Sequence, residues 1–329
     1  MDDIRKNVSL LIPCYNVERY LQTFFNSVLI QSYLPTEIIA VDDGSTDNTA
    51  KILKEYVEVF KNNGIDLHYI YKPNGGLASA ISVGLKLVTG DYLIWADPDD
   101  LLLENSILFR VNYLNSHPEC GIVRSNGYTY SENDLTTPIS KVSKKWRYNA
   151  TLNDYVKFVV PWCCGCYMVR MSALDDVNPE RLIYDSPCGQ NIQMLLPVVS
   201  KYPCHFIDEY LYGYVLYGNS HSRKARGYEY DSQHIDDMKD CVVSTLAILN
   251  GDYSKYILIH DTFNRSAHYQ TAWRHQRVDE MQKYEKVMRD NGEFYIDHWL
   301  MKYINPNTKA CLLLPWVSRL RRYIFRQGR

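Results

Sequence analysis

The stretch Gly90-Asp91-Tyr92-Leu93-Ile94-Trp95-Ala96-Asp97-Pro98-Asp99-Asp100 drives an apolar run straight into three carboxylates within four positions. Carboxylates so crowded repel one another unless something positive binds between them. A solvated acidic turn is the bland alternative. The choice depends on whether the apolar run is one strand of a larger sheet, because in an open α/β sheet the carboxyl ends of the strands line one edge, where ligands bind.

Working outward from this stretch, the same arrangement recurs three times. Val8 to Tyr15 is a near-continuous apolar run, as in a strand buried on both faces, and it ends at Asn16. Glu37 to Val41 ends at Asp42-Asp43-Gly44-Ser45, and Leu67 to Tyr71 ends at Lys72-Pro73-Asn74-Gly75-Gly76. Between them Glu18 to Ile30 has helical spacing, Asp47 caps a helix through Phe60, and Leu77 to Val88 is a helix of small residues. With Asp91 to Ala96 as a fourth strand, the alternation predicts a mostly parallel sheet with helices on both faces. The four polar strand ends then surround one site. Side chains two apart on an extended strand end point the same way, so Asp97 and Asp99 are expected to act together, with Pro98 stiffening the turn. A hard divalent cation, Mn2+ or Mg2+, fits such a pair, since it uses one or two carboxylates plus substrate phosphates.

Composition bounds what this edge serves. The 329 residues are 46% hydrophobic and 22% charged, with a formal net charge of −2. That apolar content excludes disorder as the main state. The near-neutral balance argues against nucleic acid as a partner. The first residues lack a secretory pattern and no run is long enough to span a bilayer, so a cytoplasmic chain, free or peripheral on a membrane, is expected. The nine cysteines follow no disulfide framework and fit a reducing compartment. Cys163, Cys164 and Cys166 sit too close together to close a tetrahedral metal shell, and the surrounding residues read as a buried strand.

Several pieces, in order, resemble the inverting glycosyltransferases of family 2, which have the GT-A fold. They are "VSLLIPCYNVERYL", "QSYLPTEIIAVDDGSTDNT" and "NGGLASAISVGLKLVTGDYLIWADPDD", and, less closely, "GQNIQMLLPV" with "YGNSHSR". The resemblance implies sugar transfer from a nucleotide-diphosphate donor, a UDP-sugar for preference, to a hydroxyl of a glycan or lipid-linked acceptor in surface polysaccharide synthesis. It implies that Pro13 and Tyr15 pack on the nucleobase, that Asp43 hydrogen-bonds it, and that the Asn74–Gly75 turn approaches the nucleoside. Asp97 is then the ribose or metal-shell carboxylate and Asp99 the direct metal ligand. His221 completes the metal shell and Arg223 holds the diphosphate.

One departure stands out. The family places its general base, an Asp or Glu, near the start of a late helix, where this chain has Gln190-Asn191. An amide cannot take the acceptor's proton. Asp185 is the nearest carboxylate and so the candidate base, with a surface turn residue as its bland alternative, while Gln190 can orient an acceptor hydroxyl. Two competing classes follow. A scaffold that kept the nucleotide site and lost catalysis is one; a nucleotidyltransferase is the other, though its first turn would be richer in glycine than "PCYNVERY".

The domain is expected to run over residues 1–222, followed by a smaller helical region, 223–329. From Tyr228 to Asn291 apolar and charged residues recur at helical intervals, and His268 and His275 there read as surface or packing. From His298 onward Lys302, Lys309, Arg319, Arg321, Arg322, Arg326 and Arg329 occur without an acid, among Leu312, Leu313, Leu314, Trp316 and Phe325. That mixture reads as an amphipathic segment on an anionic membrane surface, which a lipid-linked acceptor would require.

Overall fold

Four buried strands in the first hundred residues set the frame. The computed structural model describes residues 6–142, 148–160, 163–218, 226–294, 296–304 and 306–307. Strands β1 (Val8–Cys14), β2 (Glu37–Asp43) and β3 (Asp66–Lys72) alternate with helices α1 (Glu18–Leu29), α2 (Thr49–Asn62) and α3 (Gly76–Leu85), and β4 (Tyr92–Trp95) follows. β1, β2 and β4 are buried at every position. β3 alternates between exposed and covered positions, because it lies at the sheet edge.

β1 pairs with β2 on one side and β4 on the other, and β2 pairs with β3, all parallel. The chain therefore runs outward from β1 to β3 and then returns to β1's other flank. The gap between the ends of β1 and β4 is the switch point at which such sheets bind ligands. Helix α3 can lie flat on this sheet because it has a glycine where it crosses: a Cβ on Gly84 would fall 2.2 Å from Leu11 Cδ1.

Beyond β4 the sheet changes character. β5 (Leu101–Leu102) precedes α4 (Ser106–Ser116), then come β6 (Ile122–Ser131), β7 (Ser140–Lys141), α5 (Leu152–Val156), β8 (Tyr167–Arg170), α6 (Met171–Val177), α7 (Gln190–Val199) and β9 (Cys204–Leu216). Among the described residues the order is β3-β2-β1-β4-β8-β6-β9-β5, with β7 on β6. β8 is antiparallel to both β4 and β6, whereas β6 and β9 run parallel. The tyrosine-rich stretches Ser125–Asn133 and Tyr210–Gly218 fall largely on these two neighbours, and Tyr128 stacks on Tyr210 at 4.3 Å.

The mixed sheet, mostly parallel in its first half and flanked by helices, and the helical region that follows it are as the sequence predicts. That region holds α8 (Tyr228–Ala247), α9 (Ser254–Arg274), α10 (Val278–Asp290) and α11 (Ile296–Met301). The chain divides into two compact units, one of residues 1–223 with 241–253, the other of 224–240 with 254–329. The second has its own core around Tyr269, Met288 and Met301. His268 is buried there, flat against Tyr284 and 2.9 Å from Asp236, and His275 pairs with Asp231, so both serve packing. No helix among the described residues is long and apolar enough to cross a membrane. The basic amphipathic tail after Asn307 lies outside the described residues.

Candidate active site

At the end of β1 the chain turns through Asn16, which adopts a left-handed conformation that asparagine tolerates. Asn16 Oδ1 accepts the Thr46 N–H at 2.8 Å, and Ser45 Oγ accepts the Asn16 N–H at 3.0 Å. Asp47 accepts the N–H groups of Thr49 and Glu18, while Glu18 accepts that of Asn48. Burial alone would raise Asp47, but the Thr49 and Glu18 bonds hold its carboxyl below the usual range. Asp47 thus ties the start of α2 to that of α1, and the first two strand-end turns are stitched into one ledge. Pro13 is buried inside β1 opposite Val41, and Tyr15 stands on the ledge, 52% exposed.

Asp42 and Asp43 are both buried and both satisfied. Asp42 accepts from the Ser45 N–H and the Tyr69 hydroxyl. Asp43 accepts the N–H groups of Gly75 at 3.0 Å and Gly76 at 2.7 Å, and the Lys72 ammonium pairs with it. Asn74 Nδ2 donates to the Asp43 carbonyl at 3.0 Å. Gly44 and Gly76 both take positive φ, and a Cβ on Gly44 would strike the Asn74 backbone nitrogen at 2.7 Å, so the two turns close only with glycine there. The structure therefore brings together Asp43, Asn74 and Gly75. Lys72, which completes that cluster, has no distinguishing signal in the sequence.

The acidic turn is built differently. β4 ends at Trp95, and residues 97–100 form a β-turn closed by the Asp100 N–H on the Asp97 carbonyl at 3.1 Å, with Pro98 at the position that favours it. This corrects the extended-strand expectation: a turn, and not strand alternation, gathers the carboxylates, and it gathers three. Oxygens of Asp97, Asp99 and Asp100 lie within 4.8 Å of one another. Asp100 is buried and held by the Tyr212 hydroxyl at 2.7 Å and the Val215 N–H at 2.8 Å. Asp97 accepts from the Cys164 thiol at 3.2 Å. Asp99 accepts from no other described residue.

Burial, then the charge of Asp97, pushes Asp99 up to about 6. Burial also raises Asp97, and Asp100 rises well above the usual range through burial and its two neighbours. No lysine or arginine pairs with any of the three among the described residues. A set of hard oxygens facing one another without a cation fits a divalent ion. A cavity of about 500 Å³ opens beside them, lined by Asp97, Asp100, Thr129, Cys163, Cys164 and Tyr214.

Gln190 opens α7, its amide 3.5 Å from the Ser186 carbonyl. Asn191 accepts the buried Trp95 indole N–H at 2.7 Å, which fixes the start of α7 to the end of β4. Asp185 is exposed, and no hydrogen bond joins it to the acidic turn among the described residues. Gln193 brackets the backbone of Tyr184, accepting its N–H and donating to its carbonyl, and so anchors the segment that carries Asp185. His221 and Arg223 lie outside the described residues. The expected strand around Cys163 begins only at Tyr167, because Cys164–Cys166 form a short 3-10 turn whose Gly165 packs against the Tyr212 ring.

The fold is that of GT-A glycosyltransferases. Staphylococcus aureus TarS (residues 1–349, in complex with UDP-GlcNAc) has a TM-score of 0.60 at 17% identity, over 80% of this chain and 73% of that one. The mannosyltransferase PcManGT from Pyrobaculum calidifontis, in complex with GDP-Man and Mn2+, has a TM-score of 0.56 at 14% identity, over 96% and 83%. Residues 9–177 match the family model of glycosyl transferase family 2, and the chain belongs to that family. The minor teichoic acid biosynthesis protein GgaB of Bacillus subtilis is 37% identical over 207 residues, 59% of this chain and 21% of that protein. The chain spans about a third of the length of other curated relatives it matches.

Proposed function

We propose that this chain is a metal-dependent, inverting glycosyltransferase that moves a sugar from a nucleotide-diphosphate donor, a UDP-sugar for preference, to a hydroxyl of a glycan or lipid-linked acceptor in surface polysaccharide synthesis. One observation carries the reading: three carboxylates with raised pKa, gathered at the switch point of the sheet with no cation facing them. The names of the relatives support its parts, since GgaB belongs to teichoic acid synthesis, TarS was seen with UDP-GlcNAc and PcManGT with GDP-Man and Mn2+.

Asp97 and Asp99 hold Mn2+ or Mg2+, with Asp100 buttressing the turn from beneath. The ion's contribution, when bound, is to neutralise charge on the departing diphosphate. Tyr15 offers its exposed ring to the base. Asp43 uses three of its roughly four acceptor positions on Lys72, Gly75 and Gly76 and keeps one for the base edge. Asn74 and Gly75 form the wall beside the nucleoside. Asp185 takes the proton of the attacking hydroxyl, and Gln190 orients that hydroxyl from the start of α7. The basic tail brings the protein to the inner face of the membrane, where a lipid-linked acceptor resides.

Calorimetric titration of UDP with and without manganese, followed by a screen for donor-sugar hydrolysis, tests the reading. Binding that needs the metal and slow hydrolysis of one donor are expected. Binding without any turnover would favour a scaffold, and no binding would remove the donor assignment.

A further inference from the structure

Cys163 and Cys166 form a Cys-x-x-Cys pair that the reaction proposed above does not use. The Cys166 N–H closes on the Cys163 carbonyl at 3.1 Å, which draws the two residues together across a single turn. A closed turn of this kind holds residues i and i+3 within about 7 Å, which overlaps the Cα separation of about 4.4–6.8 Å that a disulfide spans. Cys163 is partly exposed and lines the cavity beside Asp97 and Asp100, so a small oxidant reaches it; Cys166 is buried behind it.

A second observation concerns Arg110. Its guanidinium is fully buried and has no carboxylate partner among the described residues. It donates to the hydroxyls of Ser106 and Ser125 and, at 2.8 Å, to the carbonyl of Gly165 inside the cysteine turn, while its Nε hydrogen has no acceptor. A buried cation without a counter-ion is costly, and the ionisable groups around this one are Cys166, Tyr212 and Cys163. The neighbouring Cys163, then Arg110 and Arg124, hold the Cys166 thiol below its usual range, whereas Cys166 and burial push Cys163 up. Arg110 thus favours the thiolate on Cys166, the form in which a thiol reacts.

We propose that Cys163 and Cys166 are a redox-active dithiol that a peroxide or a small disulfide converts to a Cys163–Cys166 disulfide. With hydrogen peroxide, one sulfur becomes a sulfenic acid with release of one water. The other then displaces that hydroxyl as a second water, so the two thiols lose two protons and two electrons in all. With oxidised glutathione the same two electrons reduce it to two thiols.

The turn is coupled to the acidic site. Cys164, between the pair, donates to Asp97, and Gly165 packs on the ring of Tyr212, whose hydroxyl holds Asp100. Closing the disulfide therefore shifts the supports of two of the three carboxylates. This coupling rests on the donor-site reading; the dithiol itself does not.

The test treats the full chain with hydrogen peroxide or oxidised glutathione, blocks remaining thiols, and maps bridges by non-reducing peptide mass spectrometry. The expected result is a Cys163–Cys166 bridge formed ahead of any other. Manganese-dependent donor hydrolysis is expected to fall several-fold and to recover with dithiothreitol. A bridge between other cysteines, or both thiols still open to alkylation after oxidation, overturns the dithiol. A bridge with unchanged hydrolysis overturns the coupling. Because the mapping needs no turnover, its outcome is independent of whether the donor assignment holds. Cys166→Ser is expected to stop at a sulfenic acid or glutathione adduct on Cys163; if that variant does not fold, the mapping on the natural chain still decides.

Discussion

Two acidic turns stand along one sheet edge, and their chemistry is opposite. Asp42 and Asp43 are buried, yet every oxygen meets a donor supplied by the chain itself: Ser45, Tyr69, Gly75, Gly76 and Lys72. Asp97, Asp99 and Asp100 face one another, and only Asp100 has both oxygens satisfied. The first turn is held together by the chain's own donors, with one acceptor position left on Asp43; the second has unmet demand for positive charge. Clustered carboxylates therefore carry no single meaning, and the accounting of donors separates a self-supported cluster from one that demands a cation.

That contrast is sharpest for Asp99→Asn. The substitution is expected to lower manganese-dependent donor turnover about a hundredfold, the equivalent of roughly 3 kcal/mol of transition-state stabilisation, while thermal stability of the metal-free protein holds or rises. Turnover within a few-fold of the natural chain would strike Asp99 from the metal set. Asp43→Ala should act in reverse order. It strands the largely buried Lys72 ammonium and two backbone N–H groups, so a loss of about 3 kcal/mol in chemical denaturation is expected. A loss below about 1 kcal/mol would mean the first turn is not the self-contained unit described.

A smaller effect concerns pH. With Asp99 titrating near 6 in the metal-free fold, against about 4 when unfolded, the native state binds more protons between those values than the unfolded chain does. Stability of the metal-free protein from this group is thus greater at low pH and is lost as pH rises through about 6. Bound manganese removes the penalty, so the rise in Tm on adding manganese should be larger at pH 7.5 than at pH 5.5. An equal rise at both would show that the cation is held elsewhere.

Much of this was open to reading because the parallel half of the sheet is regular. Val8–Cys14, Glu37–Asp43 and Tyr92–Trp95 are apolar throughout, and the turns between them carry glycine, proline and paired acids at strand ends. The sheet beyond β4 was not legible, because β5 and β7 have two residues each and β6 pairs with β9 through register shifts. Site chemistry failed at the same boundary. Asp97 and Asp99 announce themselves by spacing, but the third carboxylate is recruited by Tyr212, more than a hundred residues away. Likewise nothing local marks Asn191 as the acceptor for Trp95, and Arg110 looks like an ordinary helix-surface arginine until α4 packs it into the core.

The bond from the Trp95 indole to Asn191 has a mechanical consequence. Trp95 is 2% exposed, so any shift of the first turn of α7 too small to admit water would leave the indole N–H without its Asn191 acceptor. Stranding such a donor costs about 1–3 kcal/mol, a penalty that opposes any parting of β4 from α7. The end of β4 and the start of α7 accordingly behave as the two jaws of a vise cast in one piece, with spacing set before any ligand enters.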